Sequence, residues 1–211
     1  MDAERLVAEL RRHVADERVL EAIRTAPREE YVAPELRAEA WENVALPIAC
    51  GQTISQPLVV ARMCELLTLR GDETVLDVGT GSGYHAAVLA RLVRHVYSIE
   101  VVPELSRTAA LALATDGVAN VTLVVGDGSR GLPEHAPYDA INVAAAVGGD
   151  VPGALLDQLA AGGRLVAPVG NGEQRLVRIR RTVSGVEREA LDSVRFVPLV
   201  RRGDEAGDDW V

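Results

Sequence analysis

Apolar positions divide the chain into a helical amino-terminal part and a longer part in which strands and helices alternate. Over residues 2–24 the apolar residues recur at helical spacing with charged residues between them, which predicts one helix or two short ones. Pro27 and Pro34 each open a further short helical stretch, because proline suits the first helical position. Residues 41–47 predict an irregular or short β connection. We therefore expect a helical cap ahead of the main sheet.

The pattern from residue 58 onward is typical of an α/β fold. A helix over 58–67 is followed by short β-branched runs that alternate with helical segments. The predicted strands cover residues 74–78, 96–99, 121–125, 141–144 and, after a turn at Gly162 and Gly163, 164–169. The predicted helices between them cover residues 83–93, 103–115 and 152–159. This alternation predicts a mostly parallel sheet with helices on both faces.

In the carboxyl-terminal part the pattern of apolar residues no longer indicates alternating helices and strands. Residues 174–180 alternate between polar and apolar, which predicts an antiparallel strand with one wet face. Ser184 and Gly185 predict a turn into a final strand pair that ends at 194–199, and residues 201–211, rich in Gly and Asp, predict a loose tail. We expect a single domain over residues 1–211, since there is no internal repeat and no long linker. Its parts are a helical cap with a candidate active-site loop (1–57), a core with the carboxyl-terminal strands (58–199) and a tail (200–211).

A glycine-punctuated turn joins the first predicted strand of this core to the helix after it. Gly79, Gly81 and Gly83 allow positive φ angles and leave no Cβ between the main chain and a ligand, while the helix that begins there points free N–H groups outward. A cofactor with a carboxylate or phosphate can dock against such a turn. Tyr84 stands where the dinucleotide fingerprint needs a glycine, so the spacing is G-x-G-x-G. That spacing resembles motif I of the S-adenosylmethionine-dependent methyltransferases.

Glu100 ends the second apolar run, 21 residues after Gly79. The second strand of a nucleotide-binding unit places an acid there that can bind both ribose hydroxyls. Taken separately, each feature has a plain structural interpretation, a turn that only redirects the chain or a solvated strand end. Their combination in a strand-helix-strand context predicts a site for a nucleoside-containing cofactor.

The segment Gly51-Gln52-Thr53-Ile54-Ser55-Gln56-Pro57 is a second candidate site. It combines a glycine, side chains that can form hydrogen bonds, and a proline that opens the next helix. On composition alone it is a polar loop in which Ser55 caps that helix. No Gly-x-Ser-x-Gly sequence surrounds Ser55 and no histidine stands in a recognisable partner motif, which disfavours a serine hydrolase.

Composition narrows the class of protein. The net charge of −9 disfavours binding to a nucleic-acid backbone, which draws its free energy from cationic side chains. All 22 basic residues are arginine, so a catalytic lysine is excluded. No segment approaches the roughly 18 consecutive apolar residues of a membrane span, and the charged start lacks the apolar region of a secretory signal. We expect a cytoplasmic protein without a nucleic-acid or membrane partner.

The cysteines and histidines do not form a metal-binding pattern. Cys50 and Cys64 are far apart in sequence, without a CxxC pair or an accompanying histidine cluster, and the 4 histidines are scattered singly among different segments. Metal centres use several such ligands at close spacing. We expect two reduced thiols and no metal site.

Six stretches lie in an order that is shared with a known family. They cover residues 51–57, 79–84, 97–100, 126–131, 162–166 and 195–199. Together they resemble the protein-L-isoaspartate O-methyltransferase family, over about residues 27–199, and 51–57 and 126–131 are the most specific of them. The resemblance implies a Rossmann-like S-adenosylmethionine-dependent methyltransferase fold, with a mostly parallel seven-stranded sheet whose last strands are reordered.

The resemblance also implies roles for single residues. It places Ser55 beside the transferred methyl group and the substrate carboxylate, with Thr53 and Ile54 shaping the same pocket. The implied residues for the cofactor, S-adenosyl-L-methionine, are Asp77, Gly79, Thr80, Gly81, Ser82, Gly83, Glu100, Asp127 and Gly128. In this assignment the glycines carry the amino-acid end, Glu100 holds the ribose, and Asp127 with Gly128 lies at the adenine.

The implied reaction is methyl transfer to the carboxylate of an L-isoaspartyl residue in a protein or peptide, which gives a methyl ester and S-adenosyl-L-homocysteine. The ester then cyclises to a succinimide, as in the repair of damaged proteins. A carboxylate with a pKa of about 4 is already ionised at neutral pH, so no general base is needed. What the enzyme supplies is alignment and removal of water. We expect a monomer.

One stretch departs from the family's pattern. Where the family commonly reads T-A-A-A-P before a proline-led helix, residues 143–152 read Val-Ala-Ala-Ala-Val-Gly-Gly-Asp-Val-Pro. The added glycines are expected to loosen a segment that lines the peptide cleft in the family. Two alternatives stay open: an O-methyltransferase dedicated to an aspartate of one natural-product precursor peptide, and a non-catalytic cofactor-binding adaptor, against which the intact 53–55 segment argues.

Overall fold

Helices and strands alternate along most of the chain in a computed structural model, which describes residues 2–201. The helices are α1 (Ala3–Leu10), α2 (Glu17–Thr25), α3 (Pro57–Leu67), α4 (Tyr84–Ala90), α5 (Pro103–Thr115) and α6 (Gly153–Asp157). The strands are β1 (Leu46–Pro47), β2 (Thr53–Ile54), β3 (Thr74–Val78), β4 (His95–Glu100), β5 (Val121–Val125), β6 (Tyr138–Val143), β7 (Leu159–Val169), β8 (Gln174–Thr182) and β9 (Gly185–Val194). None of the helices in this described part is long and apolar enough to cross a membrane.

The main sheet has 7 strands in the order β5-β4-β3-β6-β7-β8-β9. Strands β3 to β7 pair in parallel, because helical connections separate them, and β8 and β9 pair antiparallel. Val78 lies between Ile99 of β4 and Val143 of β6, so the carboxyl ends of three strands meet at one edge. The strand order reverses at β3, and such a switch point leaves a crevice for a ligand. The predicted sheet architecture is confirmed.

The amino-terminal cap contains two helices, which decides between the two sequence interpretations of residues 2–24. Asp2 and Asp16 cap α1 and α2, and each carboxylate accepts a hydrogen bond of 2.9 Å from a backbone N–H of the first turn. Short 3-10 helices follow at Arg28–Tyr31 and Pro34–Glu39. The helical cap predicted ahead of the sheet is therefore present.

Apolar side chains fill both faces of the main sheet. On one face, Leu6 of α1 and Leu67 of α3 share a core with Val75 of β3. On the other face, Leu76 of β3 packs in a core with Leu155 of α6. Neighbouring residues of β3 thus serve opposite faces, as the period of a strand requires. The cap belongs to the first of these cores, and each fully buried leucine contributes about 1.5–3 kcal/mol to folding.

The predicted turn at Gly162 and Gly163 is wrong, because both residues lie within β7. That strand begins at Leu159, 5 residues earlier than predicted, and α6 ends 2 residues earlier than the predicted helix. The pairing register with β6 shifts between Tyr138 and Ala140. Such a bulge leaves extra residues unpaired, and Gly162 adopts there the positive φ, 77°, that the sequence had suggested for a turn.

The last strand also differs from the prediction. β9 pairs with β8 as expected from the turn before it, but it ends at Val194 and not at 199. The following segment turns to the end of β6, where Ala146 donates to Val197 O and accepts from Leu199 N, both at 2.8 Å. Apart from residue 201, the predicted loose tail lies outside the described residues.

Candidate active site

A cavity opens where the carboxyl ends of β3, β4 and β6 meet. It holds about 780 Å³ of empty space, its open mouth included. Residues 52–55 line one part, and residues 79–82 with Glu100 line another. Gly128 and residues 197–200 complete the wall. The two stretches that the sequence pattern singled out separately thus face one space.

The three glycines of the turn after β3 have different roles. Gly79 and Gly81 line the cavity with φ angles of 93° and 52°, which favour glycine. Gly83 precedes α4 and packs against α5, where a Cβ would lie 3.1 Å from the Cβ of Ala109. The Gly83 N–H closes the turn by donating to Thr80 O at 2.8 Å. Gly83 was expected among the cofactor-binding residues, and the contact that the structure gives it is with α5.

The carboxylate of Glu100 is fixed at the end of β4. One oxygen accepts a hydrogen bond of 2.8 Å from the backbone N–H of Gly81, and the other accepts one of 3.0 Å from that of Val102. The residue is only 6% exposed, yet it lines the cavity. Glu100 therefore presents a preoriented acceptor beside the glycine turn, and its ribose-binding role stays a prediction.

Asp77 lies beneath the glycine turn and not in the cavity wall. Its carboxylate is fully buried and accepts hydrogen bonds from Ser98 Oγ at 2.8 Å and Asn142 Nδ2 at 2.7 Å. The Ser98 and Thr80 hydroxyls are 2.6 Å apart. Burial raises the pKa of Asp77 to about 6, because loss of hydration penalises the charged form. The structure thus places Asp77, an expected cofactor-binding residue, in a support network under the turn.

The loop after β5 brings Gly128 to the cavity. A Cβ on Gly128 would lie 2.5 Å from Cγ1 of Val78, so a larger residue would displace the β3 side chain. The Asp127 carboxylate accepts hydrogen bonds from the Ser129 N–H and hydroxyl at 2.9 and 2.7 Å. Asp127 therefore shapes the turn, while Gly128 supplies the cavity wall.

Strands β1 and β2 form a hairpin that presents Thr53, Ile54 and Ser55. Ile54 pairs with Leu46 and is buried, whereas Thr53 is exposed and Ser55 is half-buried. All three residues of the segment line the cavity. The structure thus brings the predicted catalytic residues together opposite the glycine turn.

Ser55 does not cap α3, so that interpretation of the segment is wrong. The cap position is Gln56, which makes no side-chain cap hydrogen bond and instead donates to Asn43 O at 2.9 Å. Within residues 2–201 the Ser55 hydroxyl has no hydrogen-bond partner, although its carbonyl accepts one from Arg28. A half-buried hydroxyl that no internal group engages is available to a ligand.

A groove leads away from Ser55 between α3 and the end of β9. It holds about 1230 Å³ of empty space, open solvent included, and Gln56, Val59 and Phe196 line it. Arg195 is the one charged residue of this lining in the described part of the chain. Its side chain is exposed and makes no ion pair with any residue of 2–201. The groove therefore presents an unpaired positive charge near Ser55.

Sequence reasoning missed several residues of the cavity. Tyr84 and Leu105, from the starts of α4 and α5, line it. Ala144 and Ala145 after β6 also line it, within the 143–152 segment that had entered only through the family resemblance. Residues 197–200 also line it, although the 195–199 stretch had entered only through the family resemblance. Their positions in the sequence could have predicted them, because each of these residues follows the carboxyl end of a strand or the glycine turn.

The glycines that depart from the family's pattern lie away from the cavity. Ala144 and Ala145 line it, whereas Gly148 and Gly149 line neither the cavity nor the groove. The next residue, Asp150, forms an ion pair of 2.6 Å with Arg188 of β9. The expected effect of these glycines on the cleft lining is therefore not seen in the geometry.

Cys50 and Cys64 are both free, and His95 and His135 pack against the ring of Tyr97. Cys64 Sγ lies 3.6 Å from Nε2 of His85, and both residues are buried. Burial lowers the pKa of His85 to about 3, which keeps its imidazole neutral. Within residues 2–201 no group of three or more histidine, cysteine or acidic side chains is arranged to hold a metal ion.

Comparison with known proteins connects this geometry to a family. The model of the family Protein-L-isoaspartate(D-aspartate) O-methyltransferase (PCMT) matches residues 1–204. The chain is 52% identical over 200 residues to the Protein-L-isoaspartate O-methyltransferase of Parvibaculum lavamentivorans. This alignment covers 92% of this chain and 90% of that protein. The chain belongs to the protein-L-isoaspartate O-methyltransferase family. The enzyme of the same name from Myxococcus xanthus is 53% identical over 196 residues, 90% of this chain and 92% of its own length. These relatives favour neither the dedicated-peptide nor the adaptor alternative.

Solved structures of protein-L-isoaspartate O-methyltransferases share the fold. One such enzyme superposes with a TM-score of 0.84 at 28% identity over 93% of this chain, and this chain spans 65% of that protein's length. The Plasmodium falciparum beta-aspartate methyltransferase (PCMT), in complex with S-adenosyl-L-homocysteine, also gives a TM-score of 0.84, with 96% and 100% of the two chains covered. At 23% identity the second comparison concerns the fold alone.

The cavity of this protein-L-isoaspartate O-methyltransferase family member fits a nucleoside-containing cofactor. The turn at Gly79 and Gly81 leaves the main chain uncovered by Cβ atoms. The Glu100 carboxylate is already oriented by two backbone donors, and at Gly128 the wall has no room for a side chain. The residues that line this cavity are thus compatible with such a cofactor.

Proposed function

We propose that this chain transfers a methyl group from S-adenosyl-L-methionine to the carboxylate of an L-isoaspartyl residue in a protein or peptide. The observation that carries the proposal is that the unpartnered hydroxyl of Ser55 and the glycine turn at Gly79–Gly81 line one cavity. Family membership supports the reaction. The shared cavity supports the choice of residues.

In this proposal the cofactor occupies the glycine side of the cavity. When bound, S-adenosyl-L-methionine supplies a methyl group on a positively charged sulfur. Gly79 and Gly81 offer main chain to its amino-acid end, and Glu100 accepts hydrogen bonds from its ribose hydroxyls. Gly128, which lines the cavity, lies beside the adenine in this proposal. Asp77 acts from below, through Ser98 and Thr80, by holding the turn in place.

Ser55 orients the substrate carboxylate by donating a hydrogen bond to it. The carboxylate is ionised at neutral pH, since its pKa is about 4, so no residue has to remove a proton. Two titratable groups of the cavity wall are unsuited to that task in any case: Glu100 is engaged by two backbone N–H groups, and His85 is buried with a strongly lowered pKa. Alignment of two reacting groups away from water can lower a barrier by roughly 7–11 kcal/mol.

The groove beside Ser55 is the proposed place for the residues that flank the isoaspartate. Its walls are largely apolar, and Arg195 provides its positive charge. The protein as a whole carries a net charge of −9, so an unpaired cation in this groove favours an anionic peptide locally. We propose that Arg195 binds the substrate carboxylate or an acidic residue close to it.

The methyl ester that this reaction forms leads to repair of the modified residue. A methyl ester at this position cyclises to a succinimide, because the next backbone nitrogen can attack it and methanol leaves. Hydrolysis of the succinimide restores part of the normal aspartate, which is a repair function. The whole proposed site comes from a single chain, so we propose a monomer with one domain. Two free cysteines fit a cytoplasmic location.

The proposal is tested with methyl-labelled S-adenosyl-L-methionine and two peptides of identical sequence, one with an isoaspartyl and one with an aspartyl residue. We expect label in the isoaspartyl peptide only, released as methanol when the ester cyclises. Equal labelling of both peptides would exclude isoaspartyl repair, and labelling of neither would exclude the enzyme activity.

A further inference from the structure

Arg28 is a fully buried cation in the cap, within the 3-10 helix Arg28–Tyr31. No carboxylate of residues 2–201 forms an ion pair with it. Buried arginines are normally paired with an acid, since a charge without a partner in a core is costly. Burial lowers the pKa of Arg28 to about 10, which still leaves it charged at neutral pH. The packing of the core therefore does not explain why a charged guanidinium is buried at this position.

The guanidinium holds three separate segments together. Nη1 donates to Ala40 O, and Nη2 donates to Val44 O at 2.9 Å and to Ser55 O at 3.1 Å. The guanidinium carbon also lies 5.6 Å from the ring centroid of Tyr84. Tyr84 is the first residue of α4, directly after the glycine turn, and lines the cavity. One side chain therefore contacts both halves of the site.

Arg28 holds the main chain of Ser55 through a hydrogen bond to its carbonyl oxygen. The Ser55 hydroxyl has no partner within the described residues, so its direction depends on the main chain that carries it. That main chain is held at its carbonyl by Arg28. The hairpin before it offers little support, since β1 and β2 have 2 residues each.

We propose that Arg28 is a positioning residue for methyl transfer, which sets the main chain at Ser55 against the glycine turn and so aims the serine hydroxyl at the substrate carboxylate. The inference rests on the proposed function of Ser55. Arginine is required because its planar fork reaches carbonyls of different segments at once, whereas the ammonium of a lysine is a compact point charge. Lysine would keep the charge and lose the geometry.

The test compares Arg28→Lys and Arg28→Met with the same two substitutions at Arg164. Arg164 is partly buried and donates to the backbone carbonyls of Leu67 and Thr68 at 2.7 and 2.8 Å, at the opposite edge of the sheet. Both sites therefore lose carbonyl contacts, and only Arg28 loses contact with Ser55. Measured quantities are Tm, the Kd of S-adenosyl-L-homocysteine, kcat and KM for the isoaspartyl peptide, and amide hydrogen exchange of residues 52–56.

We expect both pairs of variants to lower Tm. Only the Arg28 variants should lower kcat, by about 100-fold for Arg28→Met and by less for Arg28→Lys, because small misplacements of a catalytic group have effects of that size. Their cofactor Kd should change by less than about threefold, which corresponds to about 0.7 kcal/mol. Exchange of residues 52–56 should accelerate in the Arg28 variants and stay unchanged in the Arg164 variants.

A wild-type kcat in Arg28→Lys, or an equal loss of kcat in the Arg164 variants, overturns the proposal. If Arg28→Met does not fold, Arg28→Lys decides. If the wild-type chain methylates no peptide, the proposed function fails, and the hydrogen exchange still judges Arg28: unchanged exchange at 52–56 in Arg28→Lys refutes its positioning role independently.

Discussion

The two halves of the cavity are supported in different ways. The glycine turn rests on the strands that precede and flank it, because Ser98 Oγ donates a hydrogen bond to Asp77 and the Gly81 N–H donates one to Glu100. The Ser55 segment follows a strand of 2 residues and is held by Arg28, 27 positions earlier in the chain. The cofactor half is thus part of the sheet, whereas the substrate half is assembled against it by the cap.

This difference predicts that mutations separate the two functions. A change on the Ser55 side should alter turnover or peptide affinity and leave cofactor binding intact. A change at the Glu100 carboxylate, which the Gly81 N–H engages, should weaken cofactor binding instead. The following variants test this separation.

Ser55→Ala should have the largest effect. Loss of an oriented hydrogen-bond donor to the reacting group should lower kcat by about 100-fold, in the range measured when such donors are removed from other active sites. The Kd of S-adenosyl-L-homocysteine should stay unchanged, as measured by titration calorimetry. Ser184→Ala, in the exposed turn between β8 and β9, is the matched control and should behave as wild type. A Ser55→Ala variant with normal kcat would remove Ser55 from the mechanism.

Glu100→Gln should weaken cofactor binding by about tenfold or more, because charge-assisted hydrogen bonds to the backbone are lost and an amide N–H meets an N–H donor. Glu73→Gln is a matched control: Glu73 is also buried and accepts hydrogen bonds from the backbone N–H groups of Arg70 and Gly71, but at the other edge of the sheet. It should lose stability and keep the cofactor Kd. Equal loss of affinity in both variants would mean that Glu100 acts only through folding.

The same difference explains what the sequence could predict. The cofactor half is encoded locally, since β-branched runs, glycine spacing and an acid at a strand end lie within about 30 residues, the length of a βαβ unit. The alternation of elements likewise predicted the sheet. The substrate half depends on contacts distant in sequence, and neither Arg28 nor the approach of 197–200 to Ala146 has a periodic signal.

The Gly162–Gly163 pair and the side chain of Asp77 show the same limit of local patterns. Gly162 and Gly163 have the composition of a turn, but pairing with β6 absorbs them into a bulge of β7. Asp77 lies in the glycine motif, and only the buried positions of Ser98 and Asn142 reveal that its carboxylate points below the turn. A sequence pattern can therefore predict that a residue belongs to a motif, but it predicts the direction of the side chain less well.

Arg195→Glu should have a moderate effect confined to the substrate half. Reversing the charge of the groove should raise KM about fivefold for an isoaspartyl peptide with an acidic neighbour, since exposed ion pairs contribute up to about 1 kcal/mol. A peptide with neutral neighbours should be affected less, and the cofactor Kd should not change. Arg180→Glu carries the same charge change on β8, outside the groove, and serves as control. If both variants raise KM equally, the effect comes from net charge and not from the groove.

Asp77→Asn should have the smallest effect, on stability and not on the Ser55 half. Burial raises the pKa of Asp77 from its ordinary value of 3.8 to about 6, so the folded state binds this proton more tightly than the unfolded chain does. Stability must then fall as pH rises through this window. Between pH 5 and 6 the loss from Asp77 alone is about 1 kcal/mol.

The difference between wild type and Asp77→Asn isolates that contribution, because all other titrating groups are common to both proteins. Urea unfolding at pH 5 and pH 6 should show a steeper loss of the free energy of unfolding in the wild type, by about 1 kcal/mol. Asparagine can still accept the hydrogen bond from Ser98, which favours folding of the variant. An identical pH dependence of the free energy of unfolding in the two proteins would show that Asp77 is ionised throughout this range. The group under the glycine turn would then be a charged carboxylate that accepts hydrogen bonds from Ser98 and Asn142.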